Sequence, residues 1–390
     1  MRRFRSLAGV VSIWLAASLA AQAAGPQTAA PHAILLEAES GSVLFEKDAD
    51  ALVAPASLAK LMTVEVVFDQ LKLGNIKLED EFVISENAWR KGGAPAGGSA
   101  MYAPIHSRVK VADLLRGVII QSGNDACIAL AEGIAGNEAR FARMMNERAR
   151  ELGLNKSNFT NAAGLPDPNM RVSARELALL ARHIIRTYPE DYQLYAEREF
   201  TWNKIKQQNR NPLLAMNIGA DGMKTGFTNE AGYNLVGTAV QNGVRLVLVI
   251  TGLKTAKDRA DEGKKLLEWG HKGFDFRLLF AEGETIADAK VYGGAQSRVP
   301  VAADGPVKLM VPRGTNERVT AKMVYTGPVR APVREGQAIG NLLVWRGDAK
   351  VLEVPLRATE SVGVGSTSQR AFDAATELVI NLFRSAAKRL

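Results

Sequence analysis

The stretch Pro55-Ala56-Ser57-Leu58-Ala59-Lys60-Leu61-Met62-Thr63 opens the most informative helix of the chain. From Leu58 to Leu71 apolar residues recur at helical spacing, which predicts a helix with one buried face. Ser57 and Lys60 share one face of its first turn. A lysine amine can accept the serine proton there if desolvation or a second cation lowers its pKa. Alone the spacing is weak evidence, because a helix-capping serine beside a surface lysine gives the same pattern.

Two further short motifs carry polar side chains that could take part in catalysis or substrate binding. Ser122-Gly123-Asn124 lies in a tight connection between two predicted helices, Lys110–Ile120 and Asp125–Ala135. Lys224-Thr225-Gly226 opens a predicted strand, where the glycine lets another backbone approach and the lysine and threonine can bind a carboxylate. Taken singly, the first is also an ordinary capping turn and the second a solvated strand end.

The elements around these motifs predict an α+β domain over residues 24–282, with an antiparallel sheet flanked by helices. The predicted strands and helices of this domain, beyond those already named, are His32–Glu37, Ser42–Phe45, Asn137–Leu152, Ser173–Thr187, Tyr233–Val240, Val244–Leu253 and Ala260–Gly270. Asn242-Gly243 predicts a hairpin between the last two strands.

The pattern changes near Gly283, after which short apolar strands alternate with glycine and proline turns. The predicted strands are Val307–Val311, Val319–Tyr325, Asn341–Trp345 and Val351–Pro355. We therefore expect a small all-β domain over residues 283–360, a flexible linker over 361–369 and a final amphipathic helix over 370–390.

The final helix has one apolar face and one polar face. The apolar face holds Phe372, Ala375, Val379, Leu382, Phe383, Ala386 and Leu390. A terminal helix of this kind, basic at its end and preceded by a Gly/Ser-rich segment, favours an anchor lying in the plane of a membrane surface. The alternative is a helix docked on its own domain.

The amino terminus has the pattern of a secretory signal. Arg2, Arg3 and Arg5 precede an apolar run, Leu7–Ala20, and Ala21-Gln22-Ala23 is a small-x-small cleavage site. This predicts a signal peptide over residues 1–23 and an exported protein. An uncleaved membrane anchor is the alternative, but the run is short for a spanning helix.

Composition excludes several classes of protein. With 47% hydrophobic and 23% charged residues, the 390-residue chain is neither disordered nor fibrous. The single cysteine, Cys127, excludes an internal disulfide framework, and four scattered histidines make a zinc site unexpected. The net charge of +8 is not concentrated outside the amino terminus, and we expect no nucleic-acid partner.

The order of the three motifs, S-x-x-K, then S-x-N, then K-T-G, resembles the penicillin-recognising serine enzymes. The chain resembles the low-molecular-weight penicillin-binding proteins that are serine-type D-alanyl-D-alanine carboxypeptidases. Beyond the motifs, the resemblance includes Gly98-Ser99-Ala100-Met101, Gln121-Ser122-Gly123-Asn124-Asp125-Ala126 and Asp221-Gly222-Met223-Lys224-Thr225-Gly226-Phe227-Thr228. It extends through the β-domain and the final helix.

The resemblance implies a role for each matching residue. Ser57, Lys60 and Ser122 would be catalytic. The substrate would be bound by Asn124, Lys224, Thr225, Gly226 and Arg259, with Arg259 placed just before the Ala260 helix. The backbone N–H groups of Ser57 and Phe227 would form an oxyanion hole.

The implied partners are peptidoglycan stem peptides as substrate, β-lactam antibiotics as covalent inhibitors, and a membrane surface bound through the final helix. No metal or organic cofactor is implied. The implied location is the periplasmic face of the inner membrane.

Other functions remain open at this point. A DD-endopeptidase would cut cross-links instead of trimming stems, and a serine β-lactamase would turn over penicillin. A third class is a wall-binding protein without useful catalysis, against which the intact motifs argue. Ser122-Gly123-Asn124 favours the carboxypeptidase over the β-lactamase. Arg259 could instead be a surface residue paired with Glu262.

Overall fold

The computed structural model describes residues 25–315 and 317–374. The helices are α1 Lys60–Lys72, α2 Glu86–Gly92, α3 Val111–Arg116, α4 Asn124–Ala135, α5 Glu138–Glu151, α6 Ala174–Thr187 and α7 Ala256–Gly273. Short helical turns lie at Ala56–Ala59, Ala94–Ala96, Gly117–Gln121, Asp191–Ala196 and Pro212–Ala215. The strands are β1 His32–Glu37, β2 Val43–Lys47, β3 Glu81–Val83, β4 Arg108–Lys110, β5 Glu199–Trp202, β6 Ile205–Gln208, β7 Ala220–Thr228, β8 Gly232–Gln241, β9 Val244–Leu253, β10 Phe274–Phe280, β11 Ala287–Tyr292, β12 Arg298–Ala302, β13 Val307–Pro312, β14 Val319–Tyr325, β15 Val329–Arg330, β16 Ala338–Arg346 and β17 Ala349–Ala358.

A five-stranded antiparallel sheet, in the order β2-β1-β9-β8-β7, organises the first domain. Because side chains alternate along a strand, β9 serves two cores. Val247 and Val249 pack with α1, α4, α5 and α6, whereas Leu246 and Leu248 pack under α7. The predicted α+β class, an antiparallel sheet flanked by helices, is confirmed.

The hairpin and the caps follow the local sequence. Asn242 and Gly243 both have positive φ, at 52° and 77°, as the turn between β8 and β9 requires. The hydroxyl of Ser173 accepts a hydrogen bond from the N–H of Glu176 at the start of α6.

One predicted helix near the site, Lys110–Ile120, differs from the structure. This helix begins only at Val111, because Lys110 still pairs with Glu81 in a short two-stranded sheet formed by β3 and β4. It ends at Arg116 and continues as a wider π-type turn, Gly117–Gln121. Such turns often mark functional sites, since they reorient the residues that follow.

The β-domain begins earlier than the predicted boundary at 283. β10 pairs with β13, so Phe274 already belongs to it. The error arose because β10 follows α7 directly, with Phe274 as the residue after its last turn. The main sheet of this domain has the order β14-β16-β17-β12-β11-β15.

The predicted flexible linker is wrong in its first part. Val362 is buried and forms a bridge with Val333, and Val364 forms one with Gly294. The chain is helical from 367 to 374, where the carboxylate of Asp373 accepts a hydrogen bond from the N–H of Gly293.

The predicted signal peptide, 1–23, and most of the final helix, 375–390, lie outside the described residues. Within 25–315 and 317–374, no helix combines the length and apolarity that a membrane crossing requires.

Candidate active site

The turn that carries Ser57 is held in an unusual backbone conformation. Ala56 has a φ of 48°, which L-residues rarely adopt, and Ser57 follows in the helical turn that leads into α1. Gly164 packs directly against this turn, because a Cβ at that position would lie 2.0 Å from the carbonyl oxygen of Ala56. Such strain is typical of functional sites, where surrounding contacts impose it. The half-buried Ser57 side chain is thereby fixed at the start of α1.

Lys60 is fully buried, with 0% of its surface exposed, and its amine meets three oxygen atoms. Nζ lies 3.0 Å from Oγ of Ser57 and 2.8 Å from Oδ1 of Asn124, and it also contacts the carbonyl oxygen of Ala163. A neutral amine has two N–H donors and one lone pair. The amide and carbonyl oxygens can only accept, so they take the two N–H groups and the lone pair faces Ser57.

The surroundings of Lys60 favour this neutral form. Burial lowers its pKa to about 8 by desolvation, the nearby Cys127 and Asp125 oppose this, and the charge of Arg210 adds to it. A substantial fraction of the amine is therefore uncharged near neutral pH, as a general base requires.

Ser122 is presented by the π-type turn after α3. Its φ of 64° is left-handed, and the N–H of the following Gly123 donates to the carbonyl oxygen of Gly117 at 2.8 Å. The Ser122 hydroxyl is buried and has no hydrogen-bond partner among the described residues. An unsatisfied buried hydroxyl is costly unless a substrate or water uses it.

Asn124 is the first residue of α4 and is tied to the loop before it. Its N–H donates to the carbonyl oxygen of Ser99, and its side chain reaches Lys60. Asp125, also buried, accepts hydrogen bonds from the N–H groups of Met101 and Ala103. Desolvation raises the pKa of Asp125 while these hydrogen bonds lower it. Together these contacts fix one wall of the cleft.

The other wall is β7, the edge strand of the sheet. Lys224, Thr225 and Gly226 lie within it and are buried, so the alternative of a solvated strand end is wrong. A Cβ at Gly226 would lie 3.1 Å from the carbonyl oxygen of Pro55 and 3.3 Å from the N atom of Leu58. Glycine thus lets β7 approach the nucleophile turn.

Lys224 shares an electrostatic environment with Lys60. Desolvation lowers its pKa well below the ordinary value, and the charges of Lys60, Arg210 and Arg259 lower it further, against a small opposing effect of Cys127. The Nζ atom of Lys224 donates to the carbonyl oxygen of its neighbour Thr225. Three other basic side chains, Lys60, Arg210 and Arg259, therefore act on Lys224 of β7.

Phe227, Tyr233 and Arg259 form a layered group beside β7. The ring centroids of Phe227 and Tyr233 are 4.2 Å apart, and the Arg259 guanidinium lies 5.6 Å from the Tyr233 ring. Phe227 remains 48% exposed. The aromatic ring of Tyr233, on β8, thereby supports the guanidinium through a cation–π contact.

Arg259 lies inside α7, which begins at Ala256, and not before the helix as predicted. The cause is the cap at Thr255, whose hydroxyl accepts from the N–H of Asp258. The alternative pairing with Glu262 is also wrong, because Glu262 pairs with Lys265. The buried Nε of Arg259 has no hydrogen-bond partner within the described parts of the chain.

The structure therefore brings Ser57, Lys60, Asn124 and the Lys224 strand to one cleft, with Arg259 electrostatically coupled to Lys224. Sequence reasoning missed Gly164, Tyr233 and Arg210. Gly164 and Tyr233 meet their partners only through the tertiary fold. Arg210 contacts Ser99 across 111 residues, and no local pattern marks it.

Comparisons with known proteins identify the family of this chain. The sequence profile of the family described as D-alanyl-D-alanine carboxypeptidase matches residues 19–255. The profile described as the C-terminal domain of penicillin-binding protein 5 matches residues 274–364, which supports the domain boundary at Phe274.

Individual relatives cover most of the chain. D-alanyl-D-alanine carboxypeptidase DacC of Escherichia coli (strain K12) is 41% identical over 343 residues, which are 87% of this chain and 86% of that protein. DacA of Haemophilus influenzae is 39% identical over 361 residues, or 92% of this chain and 91% of that protein. The solved structure of penicillin binding protein 5 from Haemophilus influenzae aligns with a TM-score of 0.73 at 40% identity, covering 87% of this chain and 99% of the other.

Proposed function

The chain belongs to the D-alanyl-D-alanine carboxypeptidase family of serine peptidases, and on that premise we propose how its residues divide the reaction. The enzyme removes the terminal D-alanine from peptidoglycan stem pentapeptides through an acyl-enzyme on Ser57, and penicillins acylate the same serine. The observation that carries this proposal is the set of three contacts of the Lys60 amine with Ser57, Asn124 and Ala163.

In the acylation step, Oγ of Ser57 attacks the carbonyl carbon between the two D-alanines. The lone pair of Lys60 accepts the hydroxyl proton as the new C–O bond forms. Asn124 and Ala163 hold the amine by its N–H groups, so that the base needs no reorientation.

The developing oxyanion is bound by the backbone N–H groups of Ser57 and Phe227. The closeness of Gly226 to the Leu58 backbone supports this pairing, because it brings the end of β7 to the nucleophile turn. The C–N bond then breaks as Ser122, beside Lys224, gives its proton to the leaving amine of D-alanine and takes the proton that Lys60 removed from Ser57, so that Lys60 is neutral again. The unpartnered hydroxyl of Ser122 suits this relay.

In the deacylation step, water attacks the acyl-enzyme carbonyl and gives a proton to the neutral Lys60 amine. Lys60 then passes this proton to Oγ of Ser57 as the ester C–O bond breaks, which restores both residues. A β-lactam enters the same path but its ring-opened product does not leave the cleft.

The substrate lies along β7 as an added strand, because β7 is the edge of its sheet. The Asn124 amide holds the peptide, and Lys224, Thr225 and Arg259 bind the terminal carboxylate. No carboxylate of the described residues lies within ion-pair distance of Lys224 or Arg259, which leaves both basic side chains available to substrate.

The test is release of free D-alanine from a pentapeptide and from a cross-linked dimer, measured side by side. We expect fast release from the pentapeptide and little cleavage of the dimer. Faster cleavage of the dimer would indicate the DD-endopeptidase, and sustained turnover of penicillin would indicate the β-lactamase. No cleavage of either substrate would indicate a binding protein.

The proposed location is the outer face of the inner membrane, after export through the signal peptide at residues 1–23. The basic amino terminus and its apolar run support export, and the amphipathic pattern of residues 370–390 supports a peripheral anchor.

A further inference from the structure

Strand β7 forms one wall of the cleft and contains one residue more than the matching part of β8. Ala220 pairs with Ala239 and Gly222 pairs with Thr238, so Asp221 is the extra residue of a β-bulge. A bulge bends its strand and re-aims the side chains that follow, and bulges often lie beside active sites. Asp221 therefore lies at the point where the register of β7 is set.

The bulge decides which side chains of β7 face the catalytic helices. Beyond it, Lys224 pairs with Val236, whose side chain packs in the same core as α1. Gly226 lies two residues further on, and a Cβ there would approach the carbonyl oxygen of Pro55 in the nucleophile turn. Because side chains alternate along a strand, a shift of one residue would turn Lys224 to the opposite face of the sheet. The position of Lys224 in the cleft thus depends on the bulge at Asp221.

The Asp221 carboxylate is held by three side chains from three other elements. Nη1 of Arg245, on β9, lies 2.7 Å from Oδ2 and donates to Oδ1 at 2.8 Å. Oδ1 also lies 2.8 Å from Oγ1 of Thr238, on β8. It is 2.9 Å from the hydroxyl of Tyr192, in the helical turn Asp191–Ala196. We call these four side chains the Asp221 clamp.

The members of the Asp221 clamp also hold one another. The Tyr192 hydroxyl lies 2.6 Å from Oγ1 of Thr238, and the Arg245 guanidinium lies 5.1 Å from the centre of the Tyr192 ring. The side chains of Asp221 and Arg245 are only 27% and 25% exposed, so solvent screens their ion pair less than a surface pair. Gly222 leaves the space that the network needs, because a Cβ there would lie 2.5 Å from the Tyr192 hydroxyl oxygen. A connected network of this kind fixes its members more firmly than separate contacts would.

We propose that Asp221 is a positioning residue, whose clamp fixes the bulge of β7 and so directs the Lys224 amine into the cleft. This inference rests on the proposed function, in which Lys224 binds the substrate carboxylate and lies beside Ser122. Asp221 acts through Lys224, three residues along the strand, and not on the substrate. Misplacing a substrate-binding group by about 1 Å can cost roughly 100-fold in rate, so a clamp outside the reacting groups still controls the reaction.

The experiment measures the rate of acylation by labelled penicillin in the full-length protein and in Asp221→Asn. Penicillin carries a carboxylate, as the substrate does, so its acylation depends on the position of Lys224. The amide keeps the shape of the side chain but loses the ion pair with Arg245. We expect acylation to slow by roughly 10- to 100-fold. Arg245→Met should show a similar loss, and Arg245→Lys, which keeps the charge, a smaller one.

Glu46→Gln is the matched control for the loss of an ion pair. Glu46 lies on β2, the opposite edge strand of the same sheet, and its carboxylate is 2.7 Å from Nη2 of Arg175. This variant also removes a carboxylate–arginine pair, but it leaves β7 intact and should be acylated at the wild-type rate. Thermal unfolding of both variants measures their stability separately from the rate.

A double-mutant cycle tests whether Asp221 acts through Lys224. In a Lys224→Ala background, Asp221→Asn should slow acylation by less than about 3-fold, because the group that it positions is already absent. A full loss in that background would overturn the inference, because Asp221 would then act through the fold in general. Equal acylation rates of Asp221→Asn and Glu46→Gln would also overturn it.

Tyr192→Phe decides the question if Asp221→Asn does not fold. It removes one hydroxyl of the Asp221 clamp and should slow acylation by about 2- to 10-fold. This loss should disappear in the Lys224→Ala background, and its persistence there would overturn the inference.

Acylation by penicillin does not require release of D-alanine, so the two proposals fail separately. A wild-type protein that is labelled on Ser57 but releases no D-alanine would overturn the proposed function alone. The acylation rates of the variants would still decide the role of Asp221.

Discussion

The Nζ atom of Lys60 lies 2.8 Å from Oδ1 of Asn124, which joins the first and second motifs of the cleft in one direct contact. The contact is fully buried, so the charge state of position 124 acts strongly on the lysine. A neutral amide accepts a hydrogen bond without favouring the ammonium form as a carboxylate would. This explains why an uncharged acceptor suits a lysine that must act as a base.

Asn124→Asp should therefore raise the pKa of Lys60 above its value of about 8. Because only the neutral amine accepts a proton, the acid limb of kcat/KM should move to higher pH. Acylation by penicillin at pH 7 should fall by roughly 10- to 100-fold for a rise of one to two pKa units. Rates measured from pH 6 to 10 check this.

Asn124→Ala is the matched control, since it removes the amide without adding a charge. It should lower the rate at every pH without moving the limb upward. Identical pH profiles for the Asp and Ala variants would contradict the prediction.

Labelled penicillin should form its covalent adduct on Ser57. The motivation is the 3.0 Å contact between Ser57 and the Lys60 amine. Peptide mapping locates the adduct, and Ser57→Ala should abolish it. Lys60→Ala should slow acylation by about 10²- to 10⁴-fold, because the general base is removed. An adduct at another residue would refute the assignment of the nucleophile.

The sequence predicted the parts of this site that local spacing determines. Ser57 and Lys60 share a turn, so their proximity follows from helix geometry. The three motifs could be joined only through family resemblance, because contacts across long separations leave no local periodicity. The Arg210–Ser99 contact is of this kind, and neither residue lies in a regular element. The start of the β-domain was missed because Phe274 follows α7 directly.

Gly164→Ala should disrupt the nucleophile turn. At this position φ is +73° and a Cβ would lie 2.0 Å from the carbonyl oxygen of Ala56, so alanine adds both backbone strain and a clash. We expect a loss of stability larger than the ~1–2 kcal/mol of a left-handed alanine, together with slower acylation of Ser57. Thermal unfolding and penicillin-binding rates measure the two effects.

Gly153→Ala is the matched control, because it adds the backbone strain of a left-handed alanine without a steric clash. Gly153 has a similar φ of +76°, but nothing lies within 4 Å of its would-be Cβ. This variant should lose only the cost of the left-handed conformation and should keep its acylation rate. Equal behaviour of the two variants would mean that the contact between Gly164 and Ala56 does not matter.

Truncation after Ala374 should release an active enzyme from the membrane fraction. The cut keeps the contact of Asp373 with Gly293 and removes the apolar and basic residues 375–390. Fractionation and D-alanine release measure location and activity. In the full-length chain, Leu382→Glu should weaken attachment more than Asn381→Glu, which lies on the polar face. A truncated protein that still sediments with membranes would place the anchor elsewhere.

Arg259→Ala should damage cleavage of a free D-Ala-D-Ala terminus far more than cleavage of its amide. The guanidinium rests on the Tyr233 ring at 5.6 Å and has no carboxylate partner in residues 25–315 and 317–374, so its hydrogen bonds are free for substrate. Loss of a charge-assisted contact should lower kcat/KM by roughly 30- to 150-fold, or about 2–3 kcal/mol. Tyr233→Leu should give a smaller loss in the same direction, because it removes the support beneath the guanidinium but keeps the charge. Equal losses on both peptides would show that Arg259 stabilises the fold instead of recognising the carboxylate.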